Sequence, residues 1–257
     1  MTSRTSARAA TFALLCGALL AGCADTQRTT TRDYDAGSRL RVAAAAEASG
    51  QADVALSMYA AAAAAEPGRA DLQAGFARAL LRHGRAAQAE QQLRRALERH
   101  GDDPALLTQL GRLRLRTGLA PEALALFDRV IARAPRNAEA LDGRGVALDL
   151  LGRHAEAEPS HRAALALAPA SIGTANNLAM SLLLAGRPAE AATILESLAQ
   201  RPNAPARAST NLAIARMASG DRDGAQQLLA GRDGNGELDA MMEALLAGAS
   251  AEAAGSS

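Results

Sequence analysis

Small and apolar residues recur along this chain with a period of 34: Gly50, Gly84, Gly118, Gly152, Gly186 and Gly220 are evenly spaced by that interval. Five residues after each glycine stands Ala55, Ala89, Ala123, Ala157, Ala191 or Ala225, and seven before it Ala43, Ala77, Gly111, Gly145, Ala179 or Ala213. Larger side chains keep the same beat, with Val42, Phe76, Leu110, Leu178 and Leu212 at one position and Tyr59, Leu93, Phe127, Leu195 and Leu229 at another. Each unit therefore reads as a helix, a glycine-marked turn and a second helix. The small residues let paired helix backbones approach, and the larger ones are expected to fill the seams between neighbours. Glycine falls where the first helix must stop and reverse, a site that favours left-handed backbone. Pro67, Pro135 and Pro169 mark the ends of second helices, because proline lacks an amide hydrogen. Pro121 and Pro188 start second helices instead, where the missing donor is harmless. Residues 237–247, ELDAMMEALLA, predict an amphipathic helix suited to cover the end of the stack, and residues 248–257 a disordered tail.

This pattern resembles the tetratricopeptide repeat, whose small residues, glycine and proline fall at the equivalents of Ala43, Ala55, Ala62, Gly50 and Pro67. The resemblance spans residues 36 to about 239 in six units, counted from residues 36, 70, 104, 138, 172 and 206. It implies an all-α fold, a right-handed α-solenoid of about six repeats with a C-terminal capping helix. Unit four departs most from the pattern. His161 stands at the position of Leu93 and Phe127, Arg144 takes a place that is apolar elsewhere, and Pro159 lies in the first turns of the second helix.

Composition agrees with helices: Ala, Leu and Arg abound, whereas the chain has three Phe, two Tyr and no Trp. All 28 basic residues are arginine. Without Arg4 and Arg8, which lie in a segment expected to be removed, 26 basic residues face 27 acidic ones. A near-neutral body exerts no general pull on nucleic acid.

The amino terminus reads as an address. Residues 1–22 have a basic start, an apolar run from Ala9 to Leu20 too short to span a bilayer, and small residues before a boundary. Leu20, Ala21, Gly22 and Cys23 resemble the lipobox of bacterial lipoproteins. That resemblance implies cleavage before Cys23 and its lipidation, several acyl chains holding a protein durably where one does not. Cys16 would leave with the signal peptide, so Cys23 would be the sole remaining thiol and no disulfide would form within the mature chain. Residues 23–37 read as the lipidated cysteine and a flexible polar tether, and residues 38–247 as the repeat body with its cap. Ala24 after the cysteine favours the periplasmic face of the outer membrane, with the inner membrane as the alternative.

Little in the sequence points to reaction chemistry. His83, His100, His154 and His161 lack cysteine partners and HExxH spacing, so they read as solvated or turn residues and no metal or cofactor is expected. Phosphate-binding glycine loops and GxSxG motifs are absent, and Glu156 and Glu158 answer a helix dipole. The chain reads as a non-enzyme without a small-molecule substrate.

In the repeat family the first helices line a concave groove. Carried onto this chain, that implies a wall of Arg78, Arg82, Arg112 and Arg116, then an acidic stretch of Glu139, Asp142 and Asp149, then Met180, Leu183, Leu184, Ile214 and Met217. Asn177 and Asn211 recur 34 residues apart, where an amide can hydrogen-bond an extended ligand's backbone or space the helices. The stretches ALDGRGVALDLLGRHAEAE, TANNLAMSLLLAGRPAEAATILESLA and STNLAIARMASGDRDGAQ, with lipobox and tether, resemble TadD-like lipoproteins of the tight-adherence (Flp pilus) system. That likeness implies a scaffold that binds a protein or extended peptide segment of a pilus secretion complex, such as an outer-membrane secretin. A pilotin or adaptor of another envelope machine, or an enzyme accessory subunit, is the alternative.

Overall fold

The computed structural model describes residues 35–202 and 204–229. The expected signal peptide, Cys23, most of the tether, the capping helix at 237–247 and the tail lie outside these residues. Among the described residues every regular element is a helix. The chain divides after Ala65 into two compact units.

The first unit holds a single hairpin, α1 (Ala36–Ala48) and α2 (Ala52–Ala65). Asp35 accepts a hydrogen bond from the Ser38 amide at 2.7 Å and so caps α1. Ala36 and Gly37, read from sequence as the end of the tether, thus form the first turn of this helix. Ala43 and Ala46 on α1, and Ala55 and Leu56 on α2, are buried. Arg39 donates across the hairpin to the Ala61 carbonyl at 3.0 Å. Val42, expected in a seam, is 44% exposed.

The second unit continues with five further pairs: α3 (Ala70–Arg82) with α4 (Ala86–His100), α5 (Pro104–Arg116) with α6 (Ala120–Arg133), α7 (Ala138–Leu150) with α8 (His154–Leu167), α9 (Ile172–Leu184) with α10 (Pro188–Ala199), and α11 (Ala206–Ala218) with α12 (Arg222–Leu229). The first helices start on side-chain caps where the sequence provides them: Asp103, Asn137 and Ser171 each accept amide hydrogens from the following turn. Second helices start differently. At the end of α7, Gly152 sits at φ 73°, its amide reaches the Asp149 carbonyl, and the Arg153 amide reaches the Leu148 carbonyl at 2.9 Å. A residue with a Cβ is strained at that φ, so glycine closes the helix and turns the chain in one step. The other five period glycines repeat this geometry.

Packing follows the period. The recurring alanines Ala89, Ala123, Ala157, Ala191 and Ala225 are wholly buried, as are Leu93, Phe127, His161 and Leu195 at the large-residue position. Within the second unit each second helix touches the first helix of the next pair, and successive first helices touch one another, whereas successive second helices make no comparable contact. Unequal spacing of the two layers curves this unit so that the first helices lie on its inner side. Among the described residues no helix is long and apolar enough to cross a membrane.

Ring size and glycine are matched across the layers. A Cβ placed on Gly111 would lie 2.7 Å from the Phe127 ring, one on Gly143 would clash with the same ring, and one on Gly145 would lie 2.5 Å from the His161 ring. Where the large position holds Leu93 or Leu195, the facing small residue is Ala77 or Ala179. The wholly buried rings of Phe127 and His161 thus occupy the space a methyl opposite would take.

Pro159 lies inside α8 without ending it. The carbonyl deprived of a donor belongs to Ala155, an exposed residue, so its lost hydrogen bond falls on the solvent side of the helix. Arg144, at a place apolar in the other units, reaches Asp128 at 2.8 Å and the Ser160 hydroxyl at 2.6 Å, which answers its charge at the seam.

Candidate functional site

The inner side carries the residues that the repeat pattern assigns to a groove, and their surroundings divide it into three stretches. The basic stretch comes first. Arg78 on α3 and Arg112 on α5 both approach Oε2 of Glu139 on α7, at 3.3 and 3.7 Å, and the Gln109 amide donates to the same oxygen at 3.5 Å. Arg116, one turn after Arg112, is exposed and donates to the carbonyl of Leu81. Arg82 is exposed at the end of α3. Glu139 therefore belongs with the arginines and not with the acidic stretch in which the sequence placed it.

The acidic stretch is occupied from within. His161 comes from α8 with its side chain wholly buried, and its Nδ1 meets Asp142 Oδ1 at 2.9 Å while its Nε2 meets Asp149 Oδ2 at 3.1 Å. Asp142 and Asp149 are seven residues apart, two helical turns, so both point from one face of α7 at the ring between them. His154 Nδ1 and the Ser181 hydroxyl add contacts to Asp149 at 3.0 and 2.8 Å, and the Asn177 amide donates to Asp142 at 3.2 Å. This network ties α7 to α8 and to α9 of the next repeat. Burial alone would push the imidazole toward its neutral form, but hydrogen bonds and charge from the two aspartates outweigh it and raise the pKa to about 9. Asp149 pays the same burial penalty, and the donors His161, His154 and Ser181 overcome it to hold its carboxyl below the ordinary range.

These findings correct the sequence reading of the histidines. His161 is neither solvated nor in a turn, and with both nitrogens engaged it offers a ligand neither a lone pair nor a free proton. Asp142 and Asp149 hold this cation inside the protein. Asn177 and Asn211 bridge successive first helices, Asn211 donating to Asn176 Oδ1 at 2.8 Å. Among the described residues no group of three or more His, Cys, Asp and Glu is arranged to hold a metal ion.

The aliphatic stretch is partly core. Leu183 and Ile214 are buried, while Met180 and Met217 pack at the edge of the same cluster. Leu184 is 41% exposed, and Leu150, equivalent to it by one period, is 60% exposed. One repeat position thus runs Arg82, Arg116, Leu150, Leu184 along the inner helices. Sequence reasoning noted His161 as a departure at the large-residue position without seeing its partners, and passed over Leu150 and Gln109, which only the fixed 34-residue offset from Leu184 and Gly143 would have singled out.

Two tetratricopeptide-repeat profiles match the chain, over residues 46–113 and 108–172. No curated protein matches its sequence. Among solved structures it is similar to PilW, a widely conserved type IV pilus biogenesis factor, with a TM-score of 0.65 at 19% identity over 82% of this chain and 98% of that one. It is similar to PilF of Pseudomonas aeruginosa with a TM-score of 0.58 at 17% identity, over 75% of this chain and 88% of that one. YrrB, a repeat protein with an unusual peptide-binding site, gives 0.50 at 19% identity over 67% and 89%. At such identities the likeness is one of fold. Period, left-handed glycines, paired helices and the profiles matched over residues 46–172 together give this chain a helical solenoid of tetratricopeptide repeats, a fold that serves as a scaffold for protein contacts.

Proposed function

We propose that the protein is a lipid-anchored scaffold of the bacterial envelope that binds an extended segment of a partner during assembly of a tight-adherence (Flp) pilus machine. The observation that carries the binding half is the inner row Arg82, Arg116, Leu150 and Leu184, charged and aliphatic side chains left at the surface of rigid helices. The anchoring half rests on Leu20 to Cys23 and the likeness of that tetrad to a lipobox. Outer-membrane placement, facing the periplasm, is read from Ala24 after that cysteine. A type IV pilus role is the second reading, favoured by the fold likeness to PilW and PilF.

Site-directed photocrosslinking in cells from Leu150 and Leu184 tests the proposal. Capture of a secretin or another Flp assembly component is expected, and Cys23→Ser should move the protein out of the membrane fraction. Capture of type IV pilus components would shift the assignment to the second reading. A Cys23→Ser protein that stays with membranes would remove the anchor.

A further inference from the structure

Glu139 is the single carboxylate that Arg78 and Arg112 share. From the second position of α7 its Oε2 collects two guanidinium groups and the Gln109 amide at 3.3 to 3.7 Å. Charge-assisted pairs close to about 2.7–2.9 Å when the geometry is made for them. Three long contacts on one oxygen describe a crowded compromise. Bonding capacity is left over as well: among the described residues, neither Arg78 Nε nor Gln109 Oε1 has a hydrogen-bond partner, though both atoms are shielded from solvent and Gln109 is wholly buried. An unpaired buried donor and acceptor are rare unless something else completes them. A peptide group supplies both an N–H and a carbonyl.

We propose that Glu139 stands in for a ligand carboxylate: an acidic side chain of an extended partner segment displaces it from Arg78 and Arg112, and the segment's aliphatic side chains then cover Leu150 and Leu184. This rests on the scaffold reading and names the chemistry of the partner. Displacement is cheap for Glu139 itself, since it is 40% exposed and stays in the first turn of α7, where the helix dipole favours a negative charge. The aliphatic row selects a peptide over a small anion. His161 sits between Asp142 and Asp149 and offsets one of their two charges, which lowers the acidity between the arginines and the leucines and lets one segment span both.

Fluorescence anisotropy on the purified full chain decides the matter, using a short labelled peptide with glutamates in its first half and leucines in its second, and a counterpart with glutamines for glutamates. Glu139→Gln keeps the shape and removes the competitor. It should tighten the glutamate peptide by about three- to fivefold, the scale of one half-exposed ion pair, and leave the glutamine peptide unchanged. Arg112→Gln should weaken the glutamate peptide by about tenfold. If Glu139→Gln unfolds in circular dichroism, Glu139→Asp, shorter by one methylene, must tighten the same peptide instead. Unchanged or weaker binding in the folded variant, or no binding of the glutamate peptide to either protein, overturns the proposal. Cellular crosslinks that persist in Arg112→Gln would leave the scaffold reading standing and remove this site from it.

Discussion

Replacing His161 by leucine asks whether a buried cation holds the fourth repeat together and, through Asp142 and Asp149, steadies its contact with the fifth. Leucine is what units two and five carry at this position, so the backbone tolerates it. The imidazole lies between Asp142 and Asp149 with no exposed surface, and its pKa moves from 6.5 to about 9. At about 1.4 kcal/mol per pH unit that rise is worth about 3 kcal/mol to the folded state. Because the folded pKa is the higher one, this contribution is complete below pH 6.5 and disappears as pH rises through about 9. The lowered Asp149 acts at the other limb: its share is present above 3.8 and is lost as the folded carboxyl protonates in stronger acid. Urea denaturation followed by circular dichroism should therefore show His161→Leu destabilised by about 3 kcal/mol near pH 6, in line with the about 3–5 kcal/mol seen when one partner of a buried pair is removed. The deficit should vanish near pH 10. Amide exchange in α7, α8 and α9 should quicken with it. A variant within 1 kcal/mol of wild type at pH 6, or a deficit that does not depend on alkaline pH, would refute the argument.

Gly145→Ala should cost about 2 kcal/mol, since its Cβ would meet the His161 ring at 2.5 Å, and adding His161→Leu should recover part of that loss; chemical denaturation of the single and double variants measures the coupling. Pro159→Ala should stabilise by about 1–3 kcal/mol, because it returns a donor to the Ala155 carbonyl inside an otherwise continuous helix; a thermal midpoint that fails to rise would contradict the assigned helix.

Sequence alone made the repeats plain because every unit imposes the same backbone demand at the same offset. A left-handed turn at Gly152 needs glycine whatever surrounds it, and wholly buried alanines such as Ala157 leave no room for a larger side chain. The polar residues of the inner side were harder, since their roles depend on which charges meet across repeats. Asp142 and Asp149 looked like groove acids because their partner lies 19 and 12 residues further on, on another helix. One clue was available: an ionisable ring at a large core position, opposite Gly145 and within the unit that carries two aspartates on one face. Glu139 was read as one of the groove acids but not as the partner of Arg78, which is 61 residues away. Such pairing is set by the curvature of the stack, a property of the assembled units.

The matching of His161 to Gly145 also bears on how near-identical helices find their proper partners. Helices built on one template can mispair by a whole period at little loss of apolar contact. Among the described residues one first helix, α7, offers both the space for an imidazolium and the paired negative charges to receive it. Any other first helix packed against α8 would bury that cation without its aspartates, so one polar contact decides which two helices close the fourth hairpin.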